Sequence, residues 1–159
     1  MMEKLPNSRN CFACGIENPI GLKLTFYAQP DGSVEGHYII ANQYESYPGM
    51  AHGGIVASIL DEALTRVFMV QDHNRFTYTG RLTIRLRKHV PTETPLRITA
   101  HPVKDRGRTA EAKAHIFGPA GDLLAEGDGL MFALPPEDVS DSDLKELGWK
   151  VYAEDGSQP

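Results

Sequence analysis

Residues 48 to 62 read Pro-Gly-Met-Ala-His-Gly-Gly-Ile-Val-Ala-Ser-Ile-Leu-Asp-Glu, and this stretch holds the groups best suited to chemistry. Gly53 and Gly54 stand at the start of a segment without further helix breakers. Glycine lets a ligand approach the backbone, and the first N–H groups of a helix lack internal acceptors, so their partly positive end suits a developing oxyanion. Tight packing of the loop against a sheet would select the same glycines. Asp61 follows among Ala57, Ile59, Leu60 and Leu64, where an unpaired carboxylate is costly. It is either ion-paired to an arginine of the segment 76–90, or it serves as a base or nucleophile. Asp61 stands eight residues beyond Gly53, about 12 Å along a helix axis, so the two cannot meet at one helix terminus. If both act on one substrate they act across two subunits, and a two-fold homodimer with antiparallel helices brings them together. His52 is a cap, a loop-fixing hydrogen-bond partner or a general acid-base. Thr65, one turn past Asp61, holds a water beside it or bonds its own helix.

Arginines form a second group. Arg81, Arg85 and Arg87 alternate along one segment, and Arg106 and Arg108 flank Gly107. In a chain of net charge -5 such clusters suit a phosphorylated ligand, with a solvated strand face as the alternative for Arg85 and Arg87. Gly107 lets backbone N–H groups converge, which favours this turn for phosphate contact. Cys11 and Cys14 are the only cysteines, and they form a Cys-x-x-Cys that reads as half a zinc site, a redox pair or two packed thiols. A closed zinc site wants about four ligands, and no strand leads into the pair as redox motifs require, so two thiols in a structured turn is the favoured reading.

These groups need a scaffold. Leu22 to Ala28 alternates apolar and polar residues and predicts a strand; Pro30-Asp31-Gly32 predicts a turn, and Ser33 to Ile40 the returning arm of a hairpin. Tyr44 to Ala51 contains Pro48-Gly49 and predicts irregular backbone. From Gly54 to about Val70 the apolar residues spread around most of a helical circumference, which predicts a helix buried on several sides. Phe76 to Val90 predicts a long strand with Phe76, Tyr78, Gly80, Leu82, Ile84 and Leu86 on one face. Leu96 to Lys104, Thr109 to Phe117 and Leu123 to Phe132 predict three more strands joined by short turns. The result is an α+β layout of about six antiparallel strands curved around one long helix. Past Pro135-Pro136 the chain turns acidic, with Ser140 or Asp141 able to cap a short helix through Leu147.

Composition narrows the function. A hydrophobic fraction of 41% over 159 residues suits one core. The negative charge disfavours nucleic acid as a partner. No apolar run approaches the roughly 20 residues a membrane helix needs, and Met1 to Asn10 lacks a signal core, so a soluble cytoplasmic protein is expected.

The sequence resembles the phenylacetate-pathway branch of the hotdog-fold acyl-CoA thioesterases, whose signature is His-Gly-Gly opening the central helix with an Asp nine residues after the His. His52 and Asp61 match it. Members often begin with Cys-x-x-Cys-Gly and Asn-Pro-x-Gly-Leu, present here within Cys11 to Leu22. The resemblance implies a hotdog domain over 22–134 between an N-terminal turn segment, 1–21, and an acidic C-terminal tail with a short helix, 135–159. It implies hydrolysis of an acyl-CoA thioester without metal or cofactor: the Gly53 N–H polarises the carbonyl, Gly54 lies beside it, and Asp61 of the partner subunit activates water or attacks. Thr79 then faces the thioester, and Arg81 with Gly107, Arg108 and Thr109 lies near CoA phosphates. Relatives often place Asn or Gln six residues before the His, where this sequence has Ser46 for the loop contact. The assembly implied is a homodimer or a homotetramer of two dimers. The alternatives are a non-catalytic acyl-CoA binding module, against which Asp61 argues, and a hotdog dehydratase or hydratase, whose own motifs are absent.

Overall fold

The helix that the apolar pattern demands is α1, Gly53–Arg66, continued by a 3-10 turn over Val67–Met69. Val56, Ile59, Leu60, Ala63 and Leu64 are buried against the sheet. Beneath α1 the sheet offers small side chains, Ala110, Ala112 and Ala114, all fully buried, which let the helix lie close. The opposite face, with Ala57, Ser58, Asp61 and Thr65, stays half-exposed. The expected burial on several sides thus holds for one broad face within the chain, and Asp61 is partly buried rather than buried.

The computed structural model describes residues 2–154, so the last residues of the C-terminal segment lie outside the described residues. Its strands are β1 (Glu3–Lys4), β2 (Tyr27–Ala28), β3 (Val34–Ile39), β4 (Thr77–Leu86), β5 (Pro95–Asp105), β6 (Thr109–Phe117) and β7 (Leu123–Ala133), with a short helix α2 (Asp141–Leu147) after them. They form one antiparallel sheet in the order β1-β2-β3-β5-β6-β7-β4, curved around α1. This is the expected hotdog architecture with seven strands in place of six. The extra strand, β1, covers only two residues and pairs with β2.

Two departures from the sequence reading have local causes. Burial does alternate from Leu22 to Ala28, yet only Tyr27 and Ala28 join the ladder. Lys23 takes a left-handed φ of 57°, and the N–H groups of Leu22 and Leu24 donate to the carbonyls of Phe12 and Ala13. The segment is therefore extended against the N-terminal turn instead of against a strand. In β4 a bulge between Thr79 and Arg81 breaks the register with β7. Leu82 and Ile84 point inward as expected, but before the bulge the inward positions are Thr77 and Thr79, and Tyr78 is 54% exposed. One extra residue reverses the parity of every side chain before it.

The ends of the chain are tied to the body. Asn7 and Lys150 exchange backbone hydrogen bonds, the Trp149 indole donates to the His73 carbonyl, and α2 carries a capping box of Ser140 and Asp143. Arg66, 2% exposed, lies under both ends: it donates to Glu62 and to the Pro6 carbonyl, and its guanidinium stacks 5.0 Å from the Trp149 ring.

Candidate active site

The N-terminus of α1 is capped by His52, whose Nδ1 accepts the Gly54 N–H at 2.9 Å. That bond assigns the ring proton of neutral His52 to Nε2 and takes up the Gly54 donor. Among the described residues the Gly53 N–H has no acceptor, and a Cβ built on Gly53 would meet nothing within 4 Å. Neither close packing among the described residues nor a positive φ requires glycine there. What remains is an open approach to an unpaired, dipole-assisted donor.

Two turns further along α1, the Asp61 carboxylate accepts the Thr79 hydroxyl across the gap to β4. The bulge after Thr79 is what turns this hydroxyl inward. Among the described residues no arginine or lysine pairs with Asp61, so the ion-pair explanation fails. Burial pushes the Asp61 carboxyl above the ordinary carboxylate range, opposed by the Thr79 hydrogen bond and aided by the neighbouring Glu62 charge. Thr65 does not share in this, since its hydroxyl donates 2.9 Å to the Glu62 carbonyl. Gly53 and Asp61 both lie on the open side of α1 and well apart, as the helical rise requires.

A cleft at the helix start is lined by Phe12, Gln43, Tyr44, Glu45, His52 and Ser58. Phe12, Gln43, Tyr44 and Ser58 were not legible as site residues. Only the tertiary fold brings the turn between the cysteines and the 3-10 turn Asn42–Tyr44 to α1. Ser46 sits in the adjacent exposed loop, its N–H bonded to the Met50 carbonyl, and does not line this cleft.

The basic residues sit elsewhere. Arg81 follows the bulge and lines a shallow outer groove with Glu111, Lys113 and Asp128. Arg87 pairs with Glu126 at 2.8 Å, the solvated-face alternative. In the turn after β5 the N–H groups do not converge on open space: Gly107 donates to Asp105, Arg106 to the Thr109 carbonyl and Arg108 to the Arg106 carbonyl. The guanidinium of Arg106 lies 3.5 Å from Glu111, and Arg108 is exposed. Sheet register sets Thr79 level with Ala110 across Met131, so Thr109 and this turn share the sheet end that holds Asp61.

A curved antiparallel sheet around a glycine-opened helix defines a hotdog protein. Residues 48–125, just under half of the chain, match the family model of the Thioesterase superfamily. Among curated proteins none matches the chain by sequence. Solved structures share its fold. A thioesterase superfamily protein is 27% identical over 78% of this chain with a TM-score of 0.70, and the match spans only 60% of that protein's length. A hypothetical thioesterase from Streptococcus pneumoniae, solved with coenzyme A, shares 21% identity over 69% of this chain and 84% of its own, with a TM-score of 0.62. The PaaI protein of the E. coli phenylacetic acid degradation operon shares the fold at 17% identity, covering 72% of this chain and 81% of its own, with a TM-score of 0.65. No helix among the described residues is long and apolar enough to cross a membrane.

Proposed function

We propose that this chain hydrolyses an acyl-CoA thioester to free acid and CoA, in sites that form between the two subunits of a homodimer. One observation carries the reading: among the described residues an unpaired Gly53 N–H and a desolvated Asp61 share one uncovered face of α1, about 12 Å apart along its axis. Two copies of that face laid antiparallel set Asp61 of each subunit beside Gly53 of the other. The ten-residue β4 lies at the sheet edge, and pairing it with a second copy would cover its free backbone groups.

In this arrangement the thioester oxygen accepts the Gly53 N–H at the positive helix end. The Asp61 carboxylate takes a proton from water as the water oxygen bonds to the carbonyl carbon, and collapse of the tetrahedral species expels the CoA thiolate. Direct attack by Asp61 is the other form of the same site, and a single turnover in labelled water distinguishes them by label in the carboxylate. His52 fixes the glycine loop. The coenzyme A bound by the Streptococcus pneumoniae relative supports CoA as the ligand, and Arg81, Arg106, Arg108 and Thr109 are assigned to its phosphates.

The test is thiol release from a panel of acyl-CoA esters by wild type and Asp61→Asn. Turnover should fall by on the order of 10²–10⁴-fold in the variant, with CoA binding retained. Unchanged turnover would refute the role of Asp61. Intact CoA binding with no release from any ester by wild type would show a binding module.

A further inference from the structure

We infer that Cys11, Cys14 and Glu62 form a binding site for a thiophilic divalent metal ion of the zinc class, lying between the N-terminal turn and the central helix and independent of the thioesterase reading. The two sulfurs and a Glu62 carboxylate oxygen all lie within 4.8 Å of one another. A tetrahedral zinc site, with bonds of about 2.3 Å to sulfur and 2.0–2.2 Å to oxygen, sets its ligands nearly 4 Å apart, so small side-chain rotations close this triangle on an ion. The pair alone offers two ligands; the third comes from α1, almost fifty residues away in sequence.

The turn itself is shaped for a metal. The Gly15 N–H donates to the Cys11 carbonyl at 2.8 Å, and a Cβ on Gly15 would lie 2.3 Å from that carbonyl oxygen, so the chain curls over Cys11 as only glycine allows. Ser8 braces both cysteines: its hydroxyl oxygen accepts the Cys11 N–H at 3.2 Å and lies 3.5 Å from the Cys14 sulfur.

Charge and support agree. Two thiolates and Glu62 carry -3, a divalent ion +2 and the buried Arg66 +1, which sum to zero in a partly buried site. Arg66 holds the Glu62 carboxylate through Nε at 2.7 Å and fixes its orientation, as groups behind a metal's ligands commonly do. Cys11 is only partly buried, which leaves the fourth position to a water.

The experiment is a cobalt(II) titration of reduced, metal-free full-length protein, followed by displacement with zinc and metal analysis of the zinc form. We expect one equivalent bound, a near-ultraviolet sulfur-to-cobalt charge-transfer band that zinc abolishes, and zinc protection of both thiols from a disulfide reagent. Cys11→Ser should lose the band, and Glu62→Gln should bind at least about 10-fold more weakly with its fold intact by circular dichroism. No charge-transfer band in the wild type would overturn the site. Equal affinity in Glu62→Gln would also overturn it, since the cysteines would then bind without the helix. The wild-type titration decides the matter even if the variants do not fold.

Discussion

At the scale of single residues, Asp61 is caught between two environments. Burial raises its proton affinity, which makes the ionised form a stronger base, while the Thr79 hydroxyl stabilises the carboxylate and pulls the other way. A base must be ionised to act, so turnover should be full above the Asp61 pKa and lost as pH falls through it. Thr79→Val removes the bond to the charged form and raises that pKa further. Its acid limb in kcat/KM should therefore lie at higher pH than in wild type, with a loss of up to about 10-fold at neutral pH that widens on acidification. A pH–rate profile of thiol release checks this. An acid limb that stays put would mean that some other group controls it.

Among the elements, β4 shows how a correct strand can carry a wrong face. Strict alternation over Phe76 to Leu86 is a strong strand signal, but it cannot show where a bulge resets the parity, and Thr79 reaches Asp61 only because of that bulge. Gly80 is where it is made: a Cβ there would sit 2.1 Å from the Phe132 ring, which stacks on Tyr78. Gly80→Ala must displace that ring or the bulge, and we expect a stability loss of about 1–3 kcal/mol in urea denaturation together with a larger fall in activity than the stability loss explains. Retained activity would show that Thr79 does not depend on the bulge. The helix, its glycine opening, Asp61 and the last three strands were legible because each rests on local period or composition. The cleft residues Phe12, Gln43 and Tyr44, and Glu62 beside the cysteines, were not, because their roles arise from contacts between segments far apart in sequence.

For the whole molecule, the chain buries one face of α1 and leaves the other half-exposed with its polar groups aligned, while β4 ends the sheet with its outer edge unpaired among the described residues. A site split between two chains makes a demand that no single-chain site can meet. Asp61→Asn and Gly53→Val should each be nearly inactive alone. In a mixed dimer, however, one site joins the intact Asp61 of the second variant to the intact Gly53 of the first, while the other site carries both lesions. Random reassortment makes half of the dimers mixed, so unfolding and refolding an equimolar mixture should restore about one quarter of wild-type activity. Thiol release measured before and after reassortment reads this directly. If each site lies within one chain, every protomer keeps its own lesion and the mixture stays inactive, whatever its oligomeric state.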